Sequence, residues 1–211
     1  EADGDDLVHS DGKTAAKAVE LIHQFKARDK PFFLAVGFVR PHVPFVAPRK
    51  YFAPYPYDKM VLPEKIPGDR DDIPSNPANR RTSASLKMDI SQQKKLLAGY
   101  YASVSYMDAM TGKLIRALEE TGQRDKTIVI FTSDHGYHLG EHDMWSKVSI
   151  HEESARVPLL ISVPGKKPAR CASLVELLDL YPTVSRLCGL KIPGNLQGRD
   201  ISQMLDDPRV R

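Results

Sequence analysis

Two polar clusters stand directly after apolar runs in this 211-residue chain. The first is Arg40-Pro41-His42-Val43-Pro44-Phe45. The second runs from Ser133-Asp134-His135-Gly136 through Glu141-His142 to Trp145 and Lys147. Asp134 and His135 set a carboxylate oxygen beside an imidazole nitrogen, and Gly136 lets the chain turn sharply after them. Asp oxygens suit Ca2+ or Mg2+, and the imidazole brings Zn2+ or Mn2+ into range. Glu141 and His142 are further donors, and four of the seven histidines lie between positions 135 and 151. The same Asp-His pair would also serve as a turn cap beside a solvated imidazole. His42 is framed by Pro41 and Pro44, which restrict the backbone around it. A fixed imidazole titrating near neutrality suits proton transfer to a leaving group, and it equally suits a packed structural role. Lys147 can meet a multiply charged oxyanion or stand as an ordinary surface lysine.

The elements that must position these residues are legible from hydrophobic spacing. Ala15, Val19, Ile22 and Phe25 recur at helical intervals behind a cap at Ser10 or Asp11, predicting a helix that ends near Asp29. The run from Pro31 to Phe38 is almost unbroken in its apolarity, the pattern of a strand buried on both faces. From 40 to 88 the pattern stops. Nine prolines lie between Pro41 and Pro77, with Tyr51, Tyr55 and Tyr57 among them. So long a loop is either a surface excursion or a rim that shapes a cleft. A long helix follows from about Ile90 to Thr121, with an apolar stripe of Leu97, Tyr100, Val104, Met107, Leu114 and Leu118, and Gly122 as its stop. Thr127 to Thr132 and Val157 to Val163 read as two more buried strands. A last helix spans roughly Leu174 to Cys188, interrupted near Pro182. Strands alternating with helices predict an α/β layered fold with a mostly parallel central sheet. In such sheets ligands bind beyond the carboxyl ends of the strands, which would place both polar clusters on one edge.

Composition narrows the class without naming the chemistry. Lys plus Arg is 30 against Asp plus Glu 27, a net charge of +3, with no long basic run to argue for nucleic acid. No apolar stretch approaches the length of a membrane span, and the acidic residues Glu1 to Asp6 are the wrong start for a signal peptide. Cys171 and Cys188 fit no zinc spacing and read as small buried hydrophobes. There is no Gly-x-Ser-x-Gly elbow, no phosphate-binding Walker loop and no Gly-x-Gly-x-x-Gly. A Ser-His-Asp hydrolase stays open on composition, without a local signature.

Five segments in order carry a resemblance. Phe32 to Phe45, Tyr100 to Asp108, the run Thr132-Ser133-Asp134-His135-Gly136 with Leu139-Gly140-Glu141-His142 and Trp145-Ser146-Lys147, then Arg156-Val157-Pro158-Leu159, and Leu177 to Thr183 resemble the formylglycine-dependent (type I) sulfatases of the iduronate-2-sulfatase-like group. The resemblance spans about residues 11–205. It implies an alkaline-phosphatase-like fold and hydrolysis of sulfate esters such as those of sulfated polysaccharides or glycosaminoglycan uronates. It also implies bound Ca2+, with Asp134 and His135 as two of its ligands. His42 would contact the sulfate and protonate the leaving alcohol, and Lys147 would bind the sulfate and its bridging oxygen. The basic loop residues Arg49, Lys50, Lys59, Lys65, Arg70, Arg80 and Arg81 are candidates for holding an anionic chain.

The resemblance also implies what is absent. The family's formylglycine is made from a Cys or Ser in a Cys/Ser-x-Pro/Ala-x-Arg motif, and neither Cys171-Ala172-Ser173 nor Cys188-Gly189-Leu190 supplies it. The paired aspartates of the family's metal site do not occur after a buried strand here. The expectation is therefore that residues 1–211 are the middle-to-late portion of the main domain. The nucleophile would lie in a missing N-terminal part, and a C-terminal subdomain would also be missing. The remainder of the same polypeptide would be the chain's partner, and the fragment alone would be inactive. Export to a periplasmic, extracellular or lysosomal compartment is implied by the resemblance only. Alternatives are a phosphodiesterase or phosphonate hydrolase of the same superfamily, and a non-catalytic sulfatase-like binding module.

Overall fold

Asp89 opens the longest element. Its carboxylate accepts from the Gln92 N–H at 2.8 Å, while the Gln92 side chain accepts from the Asp89 N–H at 2.8 Å. This reciprocal capping box satisfies two N-terminal donors, and the helix runs from Ile90 to Glu120 (α2). The computed structural model describes residues 1–28, 30–72 and 81–210. The predicted helix end at Asp29, the loop prolines Pro74 and Pro77, and Arg80 fall outside the described residues.

The described residues divide into two units. The first comprises residues 1–127 and 135–158, the second 128–134 and 159–210. In the first unit, α1 (Ser10–Arg28) packs its Ala15, Ala18 and Ile22 face toward α2. The deepest line on α2 is Ala98, Ala102, Tyr106 and Met110, set beside the predicted stripe. Leu97 and Leu118 of that stripe are buried, whereas Tyr100, Val104, Met107 and Leu114 are half-buried. Ala98 and Ala102 in this line, with Ala15 and Ala18 of α1, are small enough for close helix packing.

Asp11 does not cap α1. It lies in the first turn, 1% exposed, and its carboxylate accepts the N–H groups of Val39 and Arg40 at 3.0 and 2.9 Å. The helix thereby holds the start of the His42 loop. Asp6, just upstream, gathers Lys50, Lys113 and Tyr51 around its carboxylate at 2.8–3.0 Å. Its carbonyl accepts from the Tyr106 hydroxyl at 2.9 Å.

The run from Phe32 to Phe38 is extended, but it pairs with no strand among the described residues, and half-buried positions alternate with exposed ones along it. That corrects the expected strand buried on both faces: one face is covered, in part through Phe32 stacked on Phe25 at 4.8 Å, and the other, including Phe33, is not.

The long Pro-rich loop, in its described part, is no loose excursion. Short 3₁₀ turns at Arg49–Tyr51 and Tyr57–Lys59 satisfy its backbone. Met60 enters a core cluster with Leu97, Ala98, Leu139 and Trp145, and the Tyr55 hydroxyl bonds Ser105 at 2.8 Å.

A short hairpin completes the first unit: β2 (His138–Leu139) pairs antiparallel with β3 (Trp145–Ser146). One turn of helix, α3 (Glu152–Ala155), follows it.

In the second unit, β1 (Val129–Thr132) pairs antiparallel with β4 (Leu159–Ser162), Val129 opposite Ser162 and Thr132 opposite Leu159. Both strands fall inside their predicted spans, but the expected burial is corrected: none of their residues is fully buried, and Thr132 and Leu160 are exposed. The expected mostly parallel central sheet is not assembled among the described residues, where both strand pairs are antiparallel. A parallel pair needs a crossover connection between its strands, and the apolar run that would extend the sheet at 32–38 has no strand partner here.

The last helix, α4, is Leu180–Leu187 behind a 3₁₀ turn at Leu177–Asp179. Pro182 sits in its first turn, where the missing N–H costs no helical hydrogen bond. The Asp179 carboxylate is buried and accepts from the N–H groups of Glu176 and Arg199. Cys171 and Cys188 are exposed and unpaired, correcting their reading as buried hydrophobes: the α4 face that is covered carries Pro182, Thr183 and Ser185.

Candidate active site

His42 occupies a loop fixed from both sides. The Arg40 guanidinium donates to the carbonyls of His42 and Pro44 at 2.8 and 3.0 Å, while the Arg40 N–H is held by Asp11. The His42 ring is exposed, and its Nδ1 lies 2.7 Å from the Val43 carbonyl. A carbonyl only accepts, so Nδ1 carries a proton. Nε2 is then the atom that gains or loses one.

His135 follows the same pattern. Its Nδ1 sits 2.7 Å from the Gly136 carbonyl, which leaves the neutral ring's lone pair on Nε2, the form a cation would need. Asp134 is exposed after the end of β1, with the Ser133 hydroxyl 3.4 Å from its carboxylate. A carboxylate oxygen and an imidazole nitrogen are each donor types that suit a divalent cation. Gly136 is required by close approach. A Cβ there would lie 2.1 Å from the Glu153 carbonyl oxygen, and the Gly136 N–H donates to Ser154 O at 2.8 Å.

Lys147 follows β3 and is half-buried. The hairpin that places it is anchored by Trp145 and Leu139 in the core and by the Trp145 N–H donating to Arg81 O at 2.8 Å.

The first unit joins the two polar loops through aromatic contacts. Phe45 meets Tyr137 edge to face, with centroids 5.6 Å apart, and Tyr100 of α2 contacts both rings. Phe45 in turn lies against α2 where Gly99 leaves room, a Cβ at Gly99 falling 3.2 Å from that of Phe45. Burial pushes the Tyr100 and Tyr137 hydroxyls up from their ordinary range. The cluster brings Phe45 and Tyr137 together, while the shared sheet edge expected for the two loops is not formed among the described residues.

Several of the basic loop residues are spoken for. Arg49 pairs with Glu1 and Asp3, Lys50 with Asp6, and Lys65 with Asp143, so these three meet acids of this chain.

A second cluster gathers beside the hairpin. Ligand atoms of His142, His151 and Glu153 all lie within 4.8 Å of one another. His138 is buried beside them, its Nε2 2.8 Å from the Ser149 hydroxyl, and burial holds its imidazole below the ordinary range. The sequence pointed to His142 through the density of histidines after position 134. It gave no reason to single out His151 and Glu153, because ligand spacing across an irregular turn has no periodicity. Asp134 and His135 are not members of this cluster.

Comparison with known proteins completes the picture. The Sulfatase family model matches residues 4–190. Human iduronate 2-sulfatase is 33% identical over 223 aligned residues, covering 87% of this chain and 40% of the relative. Among solved structures, the phosphonate monoester hydrolase of Silicibacter pomeroyi aligns with a TM-score of 0.73 at 30% identity, covering 89% of this chain and 41% of that one. A protein from the Bacteroides thetaiotaomicron locus for metabolism of multiple glycosaminoglycans aligns with a TM-score of 0.72 at 28% identity, covering 93% and 39%. The chain spans about 40% of the length of the human relative. The fold is accordingly the α/β, alkaline-phosphatase-like one expected from the sequence. No described helix is long and apolar enough to cross a membrane. With its motifs in family order and the family model matched across most of its length, the chain belongs to the sulfatase family.

Proposed function

We propose that the natural polypeptide carrying this chain is a sulfuric ester hydrolase acting on sulfated carbohydrate. The observation that carries this reading is the family match over residues 4–190, which includes both loops that the Phe45–Tyr137 contact joins. In this reading His42 Nε2 delivers a proton to the leaving alcohol oxygen, while Nδ1 stays committed to the Val43 carbonyl and holds the ring. The Lys147 ammonium holds the sulfate and its bridging oxygen as negative charge develops there. Asp134 and His135 would hold Ca2+, which when bound polarises the ester's oxygens. The formylglycine nucleophile would come from another part of the polypeptide, because no cysteine or serine here lies in its motif.

Two features support the reading of this chain as a middle-to-late portion of a larger domain. It covers about 40% of the human relative. Large apolar side chains also stand open, among them Phe33 at 83% exposure and Leu174 at 90%, which further chain would cover. Export to a periplasmic, extracellular or lysosomal compartment belongs to the same proposal.

The match to a phosphonate monoester hydrolase keeps a second reading, hydrolysis of phosphonate or phosphodiester substrates. The test is a comparison of kcat/KM for aryl sulfate and aryl phosphonate monoesters with the natural polypeptide. The sulfate should be preferred. Preference for the phosphonate would select the second reading, and no turnover of either would select a non-catalytic binding module.

A further inference from the structure

We infer that His142, His151 and Glu153 form a binding site for a Zn2+-class cation, separate from Asp134 and His135. The three residues come from the turn after β2, the residue before α3, and α3 itself. Their ligand atoms lie within 4.8 Å of one another, so sub-ångström to ångström shifts bring them to the spacing of a coordination shell with bonds of about 2.0–2.2 Å.

Three further observations point to a cation. First, the Glu153 Oε2 atom is shielded from solvent and accepts no hydrogen bond. His142 Nε2 lies 3.7 Å away and His138 Nδ1 3.9 Å away. A shielded carboxylate oxygen without a donor is costly, and coordination removes that cost. Second, His142 Nδ1 lies 2.8 Å from the Asp69 carboxylate. That leaves Nε2 toward Glu153 and supplies the carboxylate–histidine partner that orients ligating imidazoles. Third, the His138 ring is 1% exposed and held by Ser149, whose hydroxyl donates to Ser154 at 2.9 Å. This chain keeps the wall beside Glu153 in place.

The donor set selects the metal. Two imidazoles and one carboxylate suit Zn2+ and its neighbours, with the remaining position open to water. Ca2+ asks for six to eight oxygens, and the hydroxyls of Ser149 and Ser154 are already engaged with each other. His142 and its partner Asp69 also line a surface cleft with Glu64, Lys65 and Arg70, so this ligand borders solvent. Bound there, the cation would tie residue 142 to residues 151 and 153 and close the loop that carries Lys147. The site itself does not depend on the sulfatase reading.

The experiment is calorimetric titration of the chelator-treated natural polypeptide with ZnCl2 in excess Ca2+, together with its thermal midpoint. One equivalent of Zn2+ should bind and raise the midpoint. E153Q, which keeps shape and loses charge, and H151N should each abolish that equivalent. D69N should weaken it by about 10–100-fold, and D134N should leave it unchanged. Retention of the Zn2+ equivalent in both E153Q and H151N would overturn the site, as would its loss in D134N or its absence from the wild-type protein.

Discussion

Phe45 and Tyr137 meet edge to face with ring centroids 5.6 Å apart, three residues after His42 and two after His135 along the chain. That contact fixes the spacing of two loops far apart in sequence. It is braced by Tyr100 and by the room that Gly99 leaves on α2.

Phe45→Ala should therefore act on catalysis as well as on stability. It removes a half-buried ring, at a cost of about 2–3 kcal/mol, and frees the loop that aims His42. A fall in kcat of about tenfold or more is expected, with a smaller change in KM. Tyr137→Phe keeps the ring contact and should leave kcat near wild type. Steady-state kinetics of both variants, read beside their thermal midpoints, check this.

Gly136→Ala should destabilise the loop, because a Cβ would sit 2.1 Å from the Glu153 carbonyl oxygen. The backbone at 153 must give way, for about 1–3 kcal/mol. Denaturant unfolding of the variant measures it. An unchanged midpoint would contradict the observed packing.

Asp6 sets an acid limit on stability. Burial pushes its carboxyl up, but hydrogen bonds from Lys113, Lys50 and Tyr51 outweigh that and bring it down to about 2 from 3.8. A carboxyl lowered in the folded state contributes stability that is full above the unfolded value and lost as pH falls from about 4 through 2. Asp6→Asn should be less stable than wild type by about 1–2 kcal/mol at pH 7, a figure that allows for screening at the exposed Lys50. The gap should close near pH 2. Unfolding midpoints across that window test the sign.

Much of this was readable from the residues. Leu97 and Leu118 lie buried on α2, and β1 and β4 fall within the apolar runs that named them, because hydrophobic spacing is a local property; the depth of the two strands was not readable, because it depends on what packs over them. The partner of the 32–38 run was not readable. Strand pairing depends on which other segments lie alongside, and no strand pairs with it among the described residues. Asp11 shows a subtler limit: its type and place signalled a cap, yet its carboxylate is taken by Val39 and Arg40, 28 and 29 residues later. Asp134, His135, His42 and Lys147 were marked by residue type and family order. The cluster of His142, His151 and Glu153 with Asp69 emerges only when an irregular turn is folded.

The central claim is that His42 supplies the leaving group's proton, and its dependence on the leaving group tests it most directly. His42→Ala should lower kcat/KM by about 10²-fold or more for alkyl sulfates, whose alkoxides need protonation, and by much less for nitrophenyl sulfate, whose phenolate does not. Equal losses on both esters, or near wild-type rates on the alkyl sulfate, would contradict the assignment.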